Sequence, residues 1–342
     1  MSSITESSQA TVLDPAPLMQ MSFSYAASRI LSTAVQLDFF SHIAAGAHTT
    51  TEIAHEAGAS ERGTRMLLDA LCGFELLSKT NQRYTLSSLA AKFLVRESPD
   101  YMGAFLESDE QWEGWSKLKE AVRSGAPIHS IFDPSEAERF FSVLTRTLHV
   151  QNRLPSQRLA KTLGVGSEHK GLNVLDVGCG SGVWGIAIAE ADPDSRVTAQ
   201  DLPKVLEQTR KYLERHGVAK RYDFLPGDLH RVGFPAGKYD LALLGHIAHG
   251  ESEASIRQIF KRLYAALKPG GQLAIIDMIP NEERTGPPFP LIFALNMLVH
   301  TDEGGTYTLS EYKTWLGEAG FSSAEMVEFG DRNGVAAIVA RK

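Results

Sequence analysis

The stretch from Asn173 to Gly182, NVLDVGCGSG, decides the fold. It is a short apolar run that ends in three glycines, and a helix-like segment follows it. A strand that turns through glycines into a helix is typical of an open parallel α/β sheet, which binds ligands at the carboxyl ends of its strands. We therefore expect a ligand to approach the backbone at Gly178, Gly180 and Gly182.

The chain after this turn continues to predict a parallel sheet. Short apolar runs alternate with helix-like spans, and the further runs are RVTAQD (196–201), DFLPGD (223–228), YDLALLG (239–245) and QLAIID (272–277). One helix carries an apolar stripe, Ile256, Ile259, Phe260, Leu263 and Leu267, which should face the sheet. Residues 331–334, DRNG, predict a hairpin, so the last strand should run antiparallel to the others.

The first part of the chain has a different pattern. Residues 22–95 read as helices followed by a hairpin around residues 81–83, which is the order of a winged helix. The third helix, opened by Ser60 and Glu61, carries few basic residues and is suited to packing more than to binding phosphates. We predict a flexible tail over 1–21, a winged-helix domain over 22–100, a helical layer over 101–164 and the sheet domain over 165–342.

Composition limits the function classes. The 342 residues suffice for about two domains, and 34 Lys and Arg against 41 Asp and Glu give a net charge of −7, which disfavours a nucleic-acid partner. The two cysteines build neither a disulfide framework nor a metal site, so we expect no metal. No export signal and no long apolar run is recognisable, which predicts a cytoplasmic protein that does not enter membranes.

Acidic residues at the strand ends indicate the ligand. A dinucleotide fingerprint would need glycine or alanine where Val183 stands, and a pyrophosphate would be repelled by Asp176, which attracts a ligand bearing an ammonium and a sulfonium. Asp201 is placed to accept two ribose hydroxyls. We expect the adenine to be bound by residues that flank the next strand ends: Leu202, Asp228 and Leu229.

These motifs together resemble a known family. DVGCGSG, QDLP, GDL and LKPGG resemble the class I S-adenosylmethionine-dependent methyltransferases. The segments WSKLKEAVRSGAP and LLGHIAHGESEASIRQIFKRLYAALKPGGQLAIIDMIP look like the small-molecule O-methyltransferases that include the plant caffeate and the acetylserotonin enzymes. The resemblance implies a Rossmann-like, seven-stranded sheet, S-adenosylmethionine as cofactor, a small hydroxyl-bearing acceptor, and a homodimer formed through the winged-helix domain.

The resemblance also places the catalytic residues. His249 stands where the family carries its catalytic histidine, and a histidine suits the removal of a proton from a phenol or enol. The family's following acid is here Gly250, and a second family acid is here Thr306. Asp277 matches the remaining acid position of the family and is expected to orient the His249 ring. Asp302 or Glu303 could replace a missing acid, which the spacing in the sequence does not decide.

Substrate contacts are expected from aromatic and apolar residues and two histidines, although packing in the core is the alternative for each of them: Trp115, His149, Phe293, Met297 and His300. The function expected is methyl transfer to a hydroxyl of a small aromatic or secondary-metabolite acceptor. C-methylation is the alternative. Two of the family's acids beside the histidine are absent here, and a carbon nucleophile needs less help in losing its proton. A DNA-binding regulator and an inactive scaffold are the hypotheses from other classes.

Overall fold

The computed structural model describes residues 13–107, 109–127, 134–328 and 334–342. The chain divides into two compact units, Met1–Ser108 and Asp109–Lys342. Within the described ranges, no helix is both long enough and apolar enough to cross a bilayer.

The first unit consists of helices and one hairpin. Its helices α1 to α6 are Ala16–Gln36, Phe39–Ala44, Thr50–Glu56, Glu61–Gly73, Ser88–Phe93 and Gly103–Leu106. The antiparallel strands β1 (Leu77–Thr80) and β2 (Arg83–Leu86) lie between α4 and α5. Asn81 and Gln82 form the hairpin turn with φ of 50° and 61°. The predicted order of helices and hairpin is confirmed.

The start of α1 differs from the predicted tail. Residues 16–21 belong to the helix, whose first backbone N–H, that of Ala16, donates to the Asp14 carboxylate. This local hydrogen bond and a proline in the first turn favour helix initiation. The helix therefore begins at Ala16, ahead of residue 22, where the apolar spacing predicted its start. Helix α4 begins after Ser60, as predicted, and the Ser60 hydroxyl accepts from the Gly63 N–H.

The second unit contains a mixed sheet of seven described strands between helices. Helices α7 to α14 are Glu110–Ser116, Leu118–Ser124, Pro134–Thr162, Val183–Ala191, Pro203–Arg215, Glu253–Ala266, Pro288–His300 and Leu309–Ala319. Strands β3 to β9 are Asn173–Val177, Arg196–Asp201, Tyr222–Pro226, Tyr239–Gly245, Leu267–Met278, Ser323–Glu328 and Val335–Arg341. The predicted helical layer over 101–164 is not a separate unit, because α7 and α8 pack on α13 and α9 packs on α10.

The strand order fixes where a ligand can bind. The order is β5-β4-β3-β6-β7-β9-β8, and the last strand, β9, runs antiparallel to both of its neighbours, β7 and β8, while the other described pairs are parallel. The predicted fold class is thereby confirmed. Of the turn predicted at residues 331–334, positions 331–333 lie outside the described residues. Since the chain leaves β3 toward β4 and later returns to β6 on its other side, the order reverses at the carboxyl end of β3.

Both faces of the sheet are covered, so its strands are apolar on both sides. On β3, Val174 packs into one core and Leu175 and Val177 into the other. The stripe predicted on α12 is buried against the sheet, as expected. The helix ends at Ala266, and Leu267, the last residue of the predicted stripe, begins β7 because it pairs with Tyr239 on β6. The register between β6 and β7 shifts after this pair, where Gly270 and Gly271 lie on β7.

Candidate active site

The glycine turn joins β3 to α10 at the point where the strand order reverses. Gly178, Gly180 and Gly182 have φ of 58°, 54° and 76°, a region that other residues rarely adopt. A Cβ added at Gly178 would lie 2.5 Å from the side chain of Ile247. At Gly180 the nearest atoms to such a Cβ belong to Thr145 at 4.0 Å, so the backbone there borders open space.

Buried polar side chains hold this turn in shape. Gln200 on β4 accepts from the Gly178 N–H at 3.2 Å and donates to the Gly227 carbonyl at 2.7 Å, which ties the ends of β3 and β5 together. Thr209 on α11 donates its hydroxyl to the Gly180 carbonyl at 2.6 Å. These hydrogen bonds hold the turn in this shape through contacts within the protein.

Asp201 ends β4 and faces the glycine turn. Its Oδ2 accepts from the Gly180 N–H at 2.8 Å and its Oδ1 from the Leu202 N–H at 2.7 Å. Burial raises the pKa of Asp201. Each carboxylate oxygen keeps a second lone pair, so the side chain can still accept two hydroxyls. The side chain of Leu202 beside it is 49% exposed and offers an apolar surface to a ring.

The end of β5 lies next to Asp201. The Gly227 N–H donates to the Asp201 carbonyl at 3.0 Å, so Asp228 and Leu229 follow directly at the same edge of the sheet. Asp228 accepts from the His230 N–H at 2.8 Å, and its carboxylate is partly exposed. The structure thus brings the predicted cofactor residues of three strand ends to one edge.

Asp176 is turned toward the start of α10. Its Oδ2 accepts from the Gly185 N–H at 3.1 Å, while Oδ1 is buried and has no hydrogen-bond partner among the described residues. Burial raises the pKa of Asp176 to about 8. Near neutral pH the carboxyl group therefore holds its proton, and the approach of a cation would restore its charge. Contact between Asp176 and the cofactor stays a prediction.

His249 and Asp277 form a hydrogen-bonded pair at the ends of neighbouring strands. His249 lies in a short 3-10 turn after β6, and Asp277 lies near the end of β7. The His249 Nδ1 is 2.6 Å from Asp277 Oδ1, and the His249 backbone N–H donates to Oδ2 at 3.0 Å. Since a carboxylate only accepts, Nδ1 carries the proton and Nε2 of the neutral ring is left as the basic atom.

Two further donors fix Asp277. Its Oδ1 also accepts from the Met278 N–H at 2.9 Å, and its Oδ2 accepts from the Tyr312 hydroxyl at 3.3 Å. Burial acts to raise the pKa of Asp277, but the adjacent His249 ring and its hydrogen bond outweigh it and hold that pKa below the usual range. Burial and the charge of Asp277 raise the pKa of Tyr312, which therefore remains a neutral phenol that donates.

The two family positions that lack an acid have other roles here. Gly250 closes the 3-10 turn by donating its N–H to Ile247. The hydroxyl of Thr306 is buried without a hydrogen-bond partner among the described residues, and the preceding Gly305 N–H donates to the His249 carbonyl at 2.8 Å. Asp302 and Glu303 are exposed, so the described carboxylate that reaches the His249 ring is Asp277.

His246 lies beside the pair and is neutral. Its Nε2 is 3.3 Å from Asn152 Oδ1, and burial lowers the pKa of His246 to about 4. His246, His249 and Asp277 offer ligand atoms within 4.8 Å of one another, a spacing that a metal ion could use. However, the 2.6 Å between His249 Nδ1 and Asp277 Oδ1 is a hydrogen-bond distance, in which Nδ1–H donates to the carboxylate, so these two atoms bind each other and not an ion.

The predicted substrate residues are placed on two helices and beside the glycine turn. Phe293 on α13 meets the His249 ring edge to face, with centroids 4.9 Å apart. Trp115 on α7 donates its indole N–H to Asn296 at 3.1 Å, and His300 donates from Nδ1 to the Asn296 carbonyl at 2.9 Å. Met297 is buried on the same helix.

His149 is the candidate with unexpected surroundings. It lies on α9 and is buried, with Nδ1 3.0 Å from the Ser181 hydroxyl of the glycine turn. Its ring stacks on Tyr212 at a centroid distance of 4.2 Å. These contacts place His149 against the predicted cofactor turn. Its predicted contact with substrate stays a prediction.

Four residues of this site were not singled out from the sequence: Asn152, Gln200, Thr209 and Tyr312. Gln200 had a detectable signal, because a polar residue just before the end of an apolar strand lies at the edge where ligands bind. The other three act through contacts with residues distant in the chain, for which no local pattern exists.

Comparison with known proteins identifies the family. A family model for the O-methyltransferase domain matches residues 115–322, and one for the O-methyltransferase dimerisation domain matches residues 19–96. The 3-hydroxy-5-methyl-1-naphthoate 3-O-methyltransferase of Streptomyces sahachiroi is 30% identical over 322 residues, 91% of each chain.

Two further relatives agree with these matches. The tetracenomycin polyketide synthesis 8-O-methyl transferase TcmO of Streptomyces glaucescens is 29% identical over 322 residues, 91% of this chain and 92% of that one. A solved structure of PigF with SAH superposes with a TM-score of 0.83 at 25% identity, covering 96% of this chain and 99% of that chain. PigF is an S-adenosyl-L-methionine-dependent methyl transferase of a Serratia species.

Proposed function

The chain belongs to the O-methyltransferase family, and we propose that it methylates a hydroxyl of a small aromatic acceptor with His249 as the general base. The observation that carries this proposal is the 2.6 Å contact between His249 Nδ1 and Asp277 Oδ1. It orients the imidazole so that Nε2 is the basic atom, as proton removal from a phenol requires.

The cofactor of this family is S-adenosylmethionine, and the edge of the sheet described above fits it. The backbone borders open space at Gly180, and Asp201 has spare lone pairs for ribose hydroxyls. We assign the site to Asp176, Gly178, Gly180, Gly182, Asp201, Leu202, Asp228 and Leu229. When bound, the cofactor supplies a methyl group activated by attachment to a sulfonium, so the protein has to align the acceptor and take its proton.

The proton of the acceptor hydroxyl moves to His249 Nε2. The ring then carries a positive charge, and the Asp277 carboxylate beside Nδ1 stabilises that charge. Three other hydrogen bonds keep Asp277 in place, from the backbones of His249 and Met278 and from Tyr312. In this role Asp277 is a positioning residue, and His249 is the residue that contacts the acceptor.

An aromatic acceptor fits the surroundings of His249. Phe293 presents its ring edge to face against the imidazole, which makes an apolar, flat surface next to the basic nitrogen. The relative from Streptomyces sahachiroi acts on a hydroxynaphthoate, a planar acceptor of this kind. We assign substrate contacts on α7, α9 and α13 to Trp115, His149, Phe293, Met297 and His300.

We assign homodimer formation to the first unit. The dimerisation family model covers residues 19–96. Large apolar side chains on α1 are exposed in the single chain, and they are Leu18, Met19, Met21 and Phe23. A second copy of the chain would bury this surface, which a lone protomer leaves in water.

Calorimetric titration tests the cofactor site first. S-adenosylmethionine and S-adenosylhomocysteine should bind the wild type with micromolar dissociation constants, and Asp201→Ala should lose most of this affinity because the ribose acceptor is gone. Absence of binding to the wild type would contradict the cofactor assignment.

An acceptor screen then tests the reaction. Phenols and hydroxynaphthoates are compared with carbon nucleophiles for release of S-adenosylhomocysteine. Methylation of oxygen that falls at least about 10²-fold in His249→Ala supports the general base. Turnover on carbon nucleophiles alone would replace the proposal with C-methylation.

A further inference from the structure

Arg262 on α12 reaches the loop that follows β5, residues 227–232, which we call the β5 loop. Its guanidinium donates to two backbone carbonyls of this loop, from Nη1 to Leu229 and from Nη2 to Val232. Within the described part of the chain, no backbone N–H donates to either carbonyl. The hydrogen bonds that fix this part of the backbone therefore come from one side chain.

The position of Arg262 is itself well defined. It lies on α12 between Ile259 and Leu263, which are buried against the sheet and anchor the helix. Its guanidinium lies over the ring of Phe234, with 4.7 Å between Cζ and the ring centroid, a distance typical of a cation–π contact. A planar fork held by a packed helix and by a ring presents its donors in a defined direction.

The start of the β5 loop is held from the other side, by β4. The Gly227 N–H donates to the Asp201 carbonyl at 3.0 Å, and the Gly227 carbonyl accepts from the Gln200 side chain at 2.7 Å. The loop then turns back on itself, since the Val232 N–H donates to the Asp228 carbonyl at 2.8 Å. Asp228 and Leu229 thus lie between an end fixed by β4 and an end fixed by α12.

A second side-chain contact from outside the β5 loop is weaker. His230 Nε2 is 3.4 Å from Glu251 Oε1, and the side chain of His230 is 51% exposed. An ion pair at such an exposed place contributes little to stability. Order at the far end of the loop therefore depends mainly on Arg262.

We propose that Arg262 is a positioning residue for the cofactor, because it holds Asp228 and Leu229 where the adenine binds. A carboxylate can accept from the adenine amino group, and an apolar side chain can cover the ring. A loop that is ordered only on binding costs affinity, so a loop held in advance binds more tightly. This inference rests on the cofactor site assigned above.

The test compares the binding of two ligands by calorimetry: S-adenosylhomocysteine and S-inosylhomocysteine, in which a carbonyl replaces the adenine amino group. The wild type should prefer the adenine ligand, because the Asp228 carboxylate accepts from the amino group and repels a carbonyl oxygen. Arg262→Met should weaken binding of the adenine ligand about 10- to 30-fold and of the inosine ligand about threefold, since only the former loses a placed acceptor. The preference should therefore fall about three- to tenfold.

Two further comparisons separate positioning from other roles. Lys261→Met removes an equal charge from the exposed neighbouring position on α12 and should bind both ligands as the wild type does. A merely structural role of Arg262 would weaken both ligands equally and leave the preference unchanged.

The charge of Arg262 is the alternative explanation, since the Asp228 charge acts to raise the pKa of Arg262 against the lowering caused by burial. Arg262→Lys keeps the positive charge but lacks the planar fork that donates to two carbonyls. We expect it to share most of the defect of Arg262→Met. Full wild-type preference in Arg262→Lys would assign the effect to charge and overturn the positioning role.

The outcomes are distinguishable. Absence of S-adenosylhomocysteine binding by the wild type overturns the cofactor site itself. Equal binding of both ligands by the wild type, or an unchanged preference in Arg262→Met, overturns the role of Arg262 alone. If thermal melting shows that Arg262→Met is unfolded, Phe234→Leu decides, because it removes the ring under the guanidinium and leaves both donors. It should lower the preference about two- to threefold, and an unchanged preference there overturns the inference.

Discussion

Replacing Asp277 by asparagine should disable the base without removing it. The carboxylate accepts four hydrogen bonds, two on Oδ1 from His249 Nδ1–H and Met278 N–H, and two on Oδ2 from His249 N–H and the Tyr312 hydroxyl. Asparagine can place its NH₂ group at the Oδ1 position or at the Oδ2 position. In either orientation this group faces a backbone N–H, from which it cannot accept a hydrogen bond. In the first orientation it would also force His249 into the tautomer that carries its hydrogen on Nε2, which cannot act as a base.

The magnitude follows from the charge that the variant lacks. When His249 accepts the proton, its ring and the Asp277 carboxylate become an ion pair. Two unit charges about 4 Å apart at an effective dielectric constant of about 20 interact by about 4 kcal/mol. This corresponds to about 10³-fold in turnover. The backbone N–H left without an acceptor should lower the free energy of unfolding by about 1–3 kcal/mol.

The assay is single-turnover release of S-adenosylhomocysteine with a hydroxynaphthoate acceptor at saturating cofactor. Asp277→Asn should lose about 10³-fold in rate while its affinity for the cofactor remains within a few-fold of the wild type. Asp302→Asn removes an equal charge from an exposed position on the loop near His249 and should behave as the wild type. A folded Asp277→Asn protein with turnover within tenfold of the wild type would refute the assigned pair.

Three other outcomes are expected. His249→Ala should lose about 10²- to 10⁴-fold in turnover with unchanged cofactor affinity, measured by the same assay and by calorimetry. Tyr312→Phe removes one of four donors to Asp277, so turnover should fall by about three- to tenfold, with its pH profile shifted relative to the wild type. Burial raises the pKa of Asp176 from 3.8 to about 8, so the folded state loses stability as pH rises between those values, where only the unfolded state ionises. Asp176→Asn lacks this titration, and chemical denaturation should show its stability rising relative to the wild type by up to about 1.4 kcal/mol per pH unit over that interval.

The features that could be predicted from the sequence depend on residues near one another in the chain. The strand, glycine turn and helix after Asn173, the buried stripe on α12 and the antiparallel last strand each have a local periodicity. His249 and Asp277 each follow an apolar run, but they were predicted as a pair from the resemblance to a known family. Their contact follows because β6 and β7 are neighbours in the sheet.

The remaining features depend on tertiary contacts that no local pattern encodes. Gln200 bridges the turns after β3 and β5, and Tyr312 reaches Asp277 from a helix 35 positions further along the chain. His149 was expected near substrate because of its segment, yet its nitrogens contact Ser181 and His216. Which face of α9 meets the glycine turn is a matter of helix packing, and a long helix offers several such faces.

The absence of two family acids around His249 is compatible with catalysis because of where the remaining acid lies. Asp277 lies on a central strand, and its two oxygens are held by two backbone N–H groups and a buried phenol as well as by the imidazole. An acid on a loop, as at positions 250 or 306, would need to be ordered by its neighbours before it could orient the ring. A strand already supplies that order, so one well-held carboxylate can fix the imidazole and stabilise its charged form. The backbone bond from Gly305 to the His249 carbonyl ties the loop that carries Thr306 to the backbone of the base without a side-chain acid.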